Sequence, residues 1–362
     1  MKRFVKSVII FTIFFTVAMG LAGCEIGDGR TSGSAPGGNS GNNIKYTGTL
    51  RVYNASEYMD MATVGDFERE FAIKVEYFEF ESNEDMYDEI SKNPGAYDVL
   101  VPSDYTADRL IKEGKLAKID KSKVTNLEKV AEEYLNPSYD PNNDYVVPYM
   151  VGTLGILYNT KKVTVPVDSW TALFAAQYSG KLLMLNSERD TIGATLKMLG
   201  FSMNSSNDTE LAQVKLKLQT IRPSITAYNE SEEIRDKMVA GEGVLGVVYS
   251  GDAKIAVDRN PDLAYVIPKE GTNKWVDGFV VMKDTQQPEA AQNFINFMCR
   301  PNIAVRNMTN IGYTSPIKGA GSEFGSNKIM FPAAEELARC ETFLYDSGAT
   351  PKYHQLWQEV RK

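Results

Sequence analysis

The chain runs to 362 residues, 43% of them hydrophobic, with 39 lysines and arginines against 47 aspartates and glutamates for a formal net charge of -8. That balance argues against a nucleic-acid binder, which presents a basic patch and a basic isoelectric point, and sits more easily with a cationic ligand. Three cysteines and one histidine, with no HExxH and no CxxC pattern, leave little material for a zinc site or a Ser-His-Asp triad, so neither a metal nor a cofactor is expected.

Lys2, Arg3 and Lys6 form a basic start and residues 8–19 an almost uninterrupted apolar run, the pattern of an export signal and too short for a membrane span with flanks. The run ends in Leu21-Ala22-Gly23-Cys24, which resembles the bacterial lipobox, where the cysteine is linked to diacylglycerol and becomes the mature N-terminus. Two acyl chains anchor stably where one is marginal. Residues 1–24 therefore predict an extracytoplasmic protein held on the membrane by lipid at Cys24. Residues 25–45 are rich in Gly, Ser and Asn and nearly lack apolar side chains, so they cannot bury a core and read as a flexible leash.

The remaining stretch of roughly 320 residues exceeds what one core usually serves, so two lobes are expected. Along it, strand-length apolar runs at 50–53, 75–80, 98–101, 154–158 and 182–185 alternate with helical periodicity at 86–90, 107–113, 192–199 and 211–218. Alternation of this kind predicts an α/β fold with mainly parallel sheets, whose ligand sites lie beyond the carboxyl ends of the strands. The segments placed there are 54–58, 102–105, 186–190, 250–252 and 275–277. Cys299 and Cys340 could pair in an oxidising compartment or remain two buried thiols. His354 falls in a polar C-terminal helix pattern, with Trp357 on its buried face, and Trp170 after Ser169 reads as a packing residue at a helix start.

Those five segments are rich in rings, hydroxyls and carboxylates, the composition demanded by a thin methylene chain carrying two or more ammonium groups. Tyr58, Tyr105, Tyr249, Trp275 and Tyr313 could supply apolar walls, each cation-π contact contributing about 0.5 to 2 kcal/mol. Glu57, Asp190, Asp252 and Asp277 could supply charge partners, without which a desolvated ammonium costs several kcal/mol. Asp104 and Asp252 border the site as either partners of its residues or loop caps. Tyr53, Tyr97 and Tyr149 read as packing residues.

At these residues the sequence resembles the bacterial spermidine/putrescine-binding proteins, a branch of the type II periplasmic binding proteins. The resemblance is carried by Tyr53-Asn54-Ala55-Ser56-Glu57-Tyr58, by Tyr97-Asp98-Val99-Leu100-Val101-Pro102-Ser103-Asp104-Tyr105, by Asp140-Pro141-Asn142-Asn143-Asp144-Tyr145 with Pro148-Tyr149, by Pro268-Lys269-Glu270-Gly271, by Trp275-Val276-Asp277 and by Ile311-Gly312-Tyr313. It implies two lobes, 46–151 with 277–321 and 152–276 with 322–362, joined by crossing strands near 151–158 and 276–281 and closing on ligand by hinge motion. It also implies a monomer that captures a polyamine and delivers it to the permease and ATPase of an ABC importer. Carried over residue by residue, Glu57 and Tyr58 match positions that touch the polyamine, and Ser103 and Tyr105 match a hydroxyl and a ring. Asp190 matches a partner of a terminal amine, Tyr249 and Trp275 two walls, Asp277 the carboxylate facing an amine near the middle of the ligand, and Tyr313 another ring. Arg189 is expected to orient Asp190.

Three positions depart from the pattern. Ala55 stands where spermidine binders have a tryptophan, Ser187 where they have an aspartate, and Phe343 near a glutamine. Loss of the charge partner at Ser187 is expected to weaken discrimination between a diamine and a triamine. Other classes keep a place on the residues alone: a binder of the same fold for an anion, a metal ion or a sugar; a hydrolase using two carboxylates as acid and base; and a structural or adhesive surface protein. Anion binders present helix N-termini, hydroxyls and arginines, whereas these segments carry Glu57, Asp190 and Asp277.

Overall fold

A computed structural model describes residues 48–361. The expected leader (1–24), Cys24 and the linker over 25–45 lie outside the described residues. The head begins with β1 (Thr49–Ala55), α1 (Met61–Phe71), β2 (Lys74–Phe80), α2 (Asn83–Lys92), β3 (Val99–Leu100), α3 (Asp104–Lys112) and the short β4 (Leu116–Ala117). A long strand, β5 (Val147–Asn159), leads into β6 (Leu182–Leu185), α4 (Glu188–Met198), α5 (Asp208–Ile221), β7 (Ile225–Asn229), α6 (Ser231–Val239), β8 (Leu245–Tyr249), α7 (Ser250–Arg259) and β9 (Leu263–Val266). Then come β10 (Lys274–Met282), α8 (Pro288–Met298), α9 (Pro301–Ile311), α10 (Ala334–Ala338) and α11 (Ala349–Val360). Every strand and helix expected from periodicity overlaps one of these elements.

Two blocks of parallel strands result, β2-β1-β3 and β8-β6-β7. β3 and β6 are buried at every position, because helices cover both faces. The blocks are joined by β5 and β10, giving the order β2-β1-β3-β10-β5-β8-β6-β7. β10 pairs antiparallel with β5 from Lys274 to Phe279, then with β3 and β4. β5 in turn leaves β10 after Thr153 and pairs antiparallel with β8 and β9. The expectation of mainly parallel sheets thus holds within each block and fails at the junction, where strands that pass from one block to the other run against their neighbours. A second correction follows from the same strands: residues 275–277 lie inside β10 rather than after a strand.

Both sequence elements and caps are locally encoded. Asp60 caps α1 by accepting from the Ala62 N–H at 3.0 Å, and Ser82 caps α2 by accepting from the Asp85 N–H at 3.1 Å. On the buried face of α1, Phe67 stacks on Phe71 with centroids 4.6 Å apart and meets Phe294 and Phe297 of α8 edge-on at 5.1 and 5.6 Å. Trp170 is buried and its indole N–H donates to the Gly271 carbonyl at 2.9 Å; Trp357 is buried against Tyr228. Tyr53 stacks on Tyr97 at 4.2 Å, and Tyr149 packs against Phe279 at 4.5 Å. Cys299 and Cys340 are both buried free thiols. Among the described residues no helix is long and apolar enough to cross a membrane.

Phe67 is fully buried, so Phe67→Ala should cost about 3–5 kcal/mol of stability, read as a drop in the midpoint of chemical denaturation with ligand-site spectroscopy unchanged. A loss under about 1 kcal/mol would show that the ring cluster does not hold α1 to α8.

Candidate functional site

The carboxyl ends of β1, β3, β6 and β8 open onto one cavity of about 470 Å³. Glu57 and Tyr58 enter it from the turn after β1, and Ser103, Asp104 and Tyr105 from the start of α3. Ser187 and Asp190 enter from the start of α4, Tyr249 from the end of β8, Trp275 and Asp277 from β10, and Tyr313 from the turn after α9. All nine residues expected to touch ligand therefore line one cavity, together with Asp104, Ser187, Asp252 and Phe343. Arg189 does not line it. Its guanidinium donates to the Leu344 carbonyl at 3.2 Å and lies over the rings of Phe343 (4.6 Å), Tyr353 (4.7 Å) and Tyr105 (5.3 Å). Arg189 thus buttresses the aromatic wall, and the expectation that it orients Asp190 is corrected: Ser187, Tyr249 and Asn273 do so, at 2.8, 2.8 and 3.1 Å.

The rings form a continuous wall. Tyr249 meets Trp275 at 5.0 Å, Trp275 meets Tyr313 at 6.3 Å, and Tyr313 meets Tyr58 at 5.0 Å, each pair tilted or edge-on so that faces are left toward the cavity. Two glycines seat this wall. A Cβ on Gly152, the register partner of Trp275, would overlap the indole, and a Cβ on Gly251 would overlap the Tyr313 ring.

Ten carboxylate side chains line the cavity against two guanidinium groups and no lysine. Burial pushes the Asp277 carboxyl up to about 7. Burial, reinforced by the charge of Asp277, holds Asp104 well above the usual carboxylate range. Burial also raises Asp190, against the three hydrogen bonds that favour its anion. Three buried acceptor oxygens of the lining, Oδ1 of Asn186, Asn273 and Asp277, have no hydrogen-bond partner, and neither has the Tyr58 hydroxyl. The amide orientations are fixed independently, because Asn186 Nδ2 donates to Glu230 and Asn273 Nδ2 donates to Asp190. The unmet acceptors call for a ligand rich in N–H or O–H donors. Among the described residues no group of three or more His, Cys, Asp or Glu side chains is placed to hold a metal ion.

At one end of the cavity Arg235 of α6 bonds Glu57 and Asp252, each at 3.0 Å. The Tyr313 hydroxyl also donates to Asp252, at 3.2 Å. Glu57 itself has φ 49°, a left-handed conformation uncommon for a non-glycine residue, pinned by its N–H donating to Glu79 at 3.1 Å. Asp252 is thus a partner of site residues rather than a loop cap.

Sequence reasoning missed Asn83, Glu84, Glu230, Glu232, Arg235 and Asn273, all in the lining, and covered Asn186 only as part of the segment 186–190. Glu84 holds the Tyr105 hydroxyl at 3.0 Å, and Asn83 exchanges two hydrogen bonds with Ser103, its Nδ2 donating to Oγ at 3.0 Å and its Oδ1 accepting from the N–H at 2.9 Å. The run Glu81-Ser82-Asn83-Glu84 follows β2 and carried the strand-end signal. Arg235 gave none, since a Glu-Glu-Ile-Arg stretch on a helix reads as solvated surface.

The model of the bacterial extracellular solute-binding protein family matches residues 62–333. The chain is 34% identical over 319 residues to the spermidine/putrescine-binding periplasmic protein of Escherichia coli K12, covering 86% of this chain and 91% of that one. A solved structure assigned as a spermidine/putrescine ABC transporter from Listeria monocytogenes superposes with a TM-score of 0.84 at 34% identity, over 87% of this chain and 99% of that one. The Tp0655 (TpPotD) lipoprotein of Treponema pallidum superposes with a TM-score of 0.77 at 25% identity, over 86% and 99%.

Asp277 gives the site a pH signature. Its folded pKa of about 7 exceeds the ordinary 3.8, so the folded state holds the proton more tightly, and stability falls as pH rises through that window. In the ligand-free protein, Asp277→Asn should therefore be the more stable form above pH 7, by an amount on the order of a few kcal/mol. The gain should shrink through the window and vanish below about pH 4. Thermal melts of both proteins across this range decide it, and a difference independent of pH would mean that Asp277 does not titrate there.

Proposed function

Since the chain belongs to the bacterial extracellular solute-binding proteins and has their two-lobed type II fold, we propose that it captures a linear polyamine of the putrescine or spermidine class and delivers it to an ABC importer. The observation that carries this reading is the unpaired, buried Oδ1 of Asp277 within a wall of four aromatic rings. Ammonium groups only donate hydrogen bonds, so they suit that oxygen, those of Asn186 and Asn273, and the negative charge of the lining. The methylenes between ammonium groups then lie against Tyr58, Tyr249, Trp275 and Tyr313, with Ser103 and Tyr105 alongside and Asp190 taking a terminal amine. Glu57, held by Arg235, closes the edge of the cleft.

A sugar would also stack on the rings. It would leave Asp277, Asp190 and Asp104 desolvated without any positive charge, which is the costlier arrangement. Hydrolysis is not proposed: the lining carboxylates are matched to a cation, and the family is one of solute-binding transport proteins. No cofactor is invoked.

The lobes are taken as 46–151 with 277–321 and 152–276 with 322–362, the hinge lying in β5 and β10. The signal over 1–24 and the lipobox-like Leu21-Ala22-Gly23-Cys24 support export and diacylglycerol anchoring at Cys24, with 25–45 as the leash; the Treponema pallidum relative is itself a lipoprotein. A ligand cleft built, among the described residues, from one chain alone suits a monomer presenting ligand to a permease and its ATPase.

Calorimetric titration of the ligand-stripped protein with putrescine, cadaverine and spermidine tests the class. Saturable binding at micromolar affinity or tighter is expected for at least one, weakened at least about a hundredfold by Asp277→Ala. Because the ammonium needs the ionised carboxylate, affinity should fall about tenfold from pH 8 to pH 6. Silence for all three ligands from a folded protein would sink the proposal. In cells, Cys24→Ala should move the protein from the membrane to the soluble fraction; retention on the membrane would reject the lipid anchor.

A further inference from the structure

We propose that Arg235 is a built-in cation that sets the charge count of the ligand: it occupies the Glu57 end of the cleft as the partner of Glu57 and Asp252, so that the site takes a linear diamine in preference to a triamine. This rests on the polyamine reading above and adds to it a specificity residue.

The Arg235 side chain is only 6% exposed. One nitrogen, Nη1, lies 3.0 Å from Glu57 and 3.0 Å from Asp252, acids that reach it from the turn after β1 and from the first turn of α7. Its Nε is fixed 2.9 Å from Asp236, so the guanidinium is aimed by its own helix. Arg259, the second guanidinium of the lining, donates to Asp236 as well, at 3.2 Å. Both positive groups of the cavity therefore gather at one end.

Elsewhere the pattern reverses. Asp190 accepts only from neutral groups, the hydroxyls of Ser187 and Tyr249 and the amide of Asn273. Asp277 keeps an oxygen with no partner. Buried carboxylates that lack a cation are the places for ligand ammonium groups, and carboxylates already shared by a buried guanidinium are not. Arginine cannot make way by losing its proton, as a lysine could. A third ammonium at the Glu57 end would face a like charge or would have to draw partners away from Arg235, whose pairing with Asp252 is buried although Glu57 itself is exposed, and either is unfavourable. Two ammonium places remain, one at Asp190 and one shared by Asp277 and Asp104, which lie close enough for the charge of Asp277 to act on Asp104, and they match an α,ω-diamine.

The test is calorimetric titration of the ligand-stripped protein and of Arg235→Met, which keeps the bulk of the side chain and removes its charge, with putrescine, cadaverine and spermidine. In the parent protein the better diamine should bind at least about tenfold more tightly than spermidine. In Arg235→Met, spermidine should gain at least about tenfold relative to that diamine, because Glu57 and Asp252 are released. Tighter binding of spermidine by the parent overturns the inference, and so does an equal change of both ligands in the variant. If Arg235→Met does not fold, the order of affinities in the parent decides alone. If the parent binds none of the three, the polyamine reading itself has failed, an outcome distinct from lost selectivity.

Discussion

Negative charge buried without a cation is costly, and the placement of elements around this cleft reads as a partial answer to that cost. Asp104, Asp190, Asp252 and Glu232 each lie in the first turn of a helix, α3, α4, α7 and α6 respectively. The start of a helix offers unpaired N–H groups and the positive end of the macrodipole, worth about 0.3–1 kcal/mol to a nearby anion. The Tyr105 N–H donating to Asp104 at 2.8 Å is one such contact. These helices start there because each follows a strand of a parallel block, and the carboxyl ends of both blocks face the same space. The compensation is incomplete, since burial still holds Asp104, Asp190 and Asp252 above their ordinary range. Asp277, in a strand, has no helix start at all. The deficit left over is what a cation placed among these acids would relieve.

The aromatic wall imposes a second constraint, on backbone rather than charge. Trp275 and Tyr313 lie so close to the main chain that positions 152 and 251 accept no Cβ. Gly312, at φ +78°, ends α9 and turns the chain so that Tyr313 enters the cavity, where a Cβ would press on the Gly251 carbonyl. Fixing rings against backbone in this way removes their rotamer freedom before ligand arrives, which lowers the ordering cost of binding.

Much of this was legible in the sequence, and the reasons differ by feature. Period-two and period-3.6 apolar patterns report burial directly, so β1, β2 and β6 and the helices α2 to α5 emerged near their observed bounds, whereas β5 was seen only over 154–158 of its 13 residues and α6, α7 and α9 were not delimited. The site residues emerged because strand ends were the right place to look and because rings and acids coincide there. Antiparallel pairing of β5 and β10 did not emerge, since a strand that changes partners midway looks locally like any other apolar run. Arg189 was misread for a related reason: its neighbour in sequence, Asp190, points into the cavity, while the helix turns Arg189 toward Phe343 and Tyr353. Arg235 was invisible, because its meaning depends on Glu57, 178 positions away, and no local pattern encodes that pairing.

The same two strands that defeated local reading connect ligand capture to movement. Asp277 sits at the irregularity where the register of β10 against β5 shifts, between its pairing with Met150 and that of Gly278 with Pro148; three residues on, β10 is paired with β3 of the other block. A bulge is a point where a strand bends most easily. Asp277 is therefore carried at an irregularity of the strand that joins the blocks, and Asp190 and Tyr249 belong to the block on the far side of it. A ligand can shift an opening equilibrium only by binding one arrangement better than the other. Asp190 and Tyr249 from one block and Glu57 and Tyr105 from the other line the same cavity, so a ligand that touches both ties the relative placement of the blocks to its own binding.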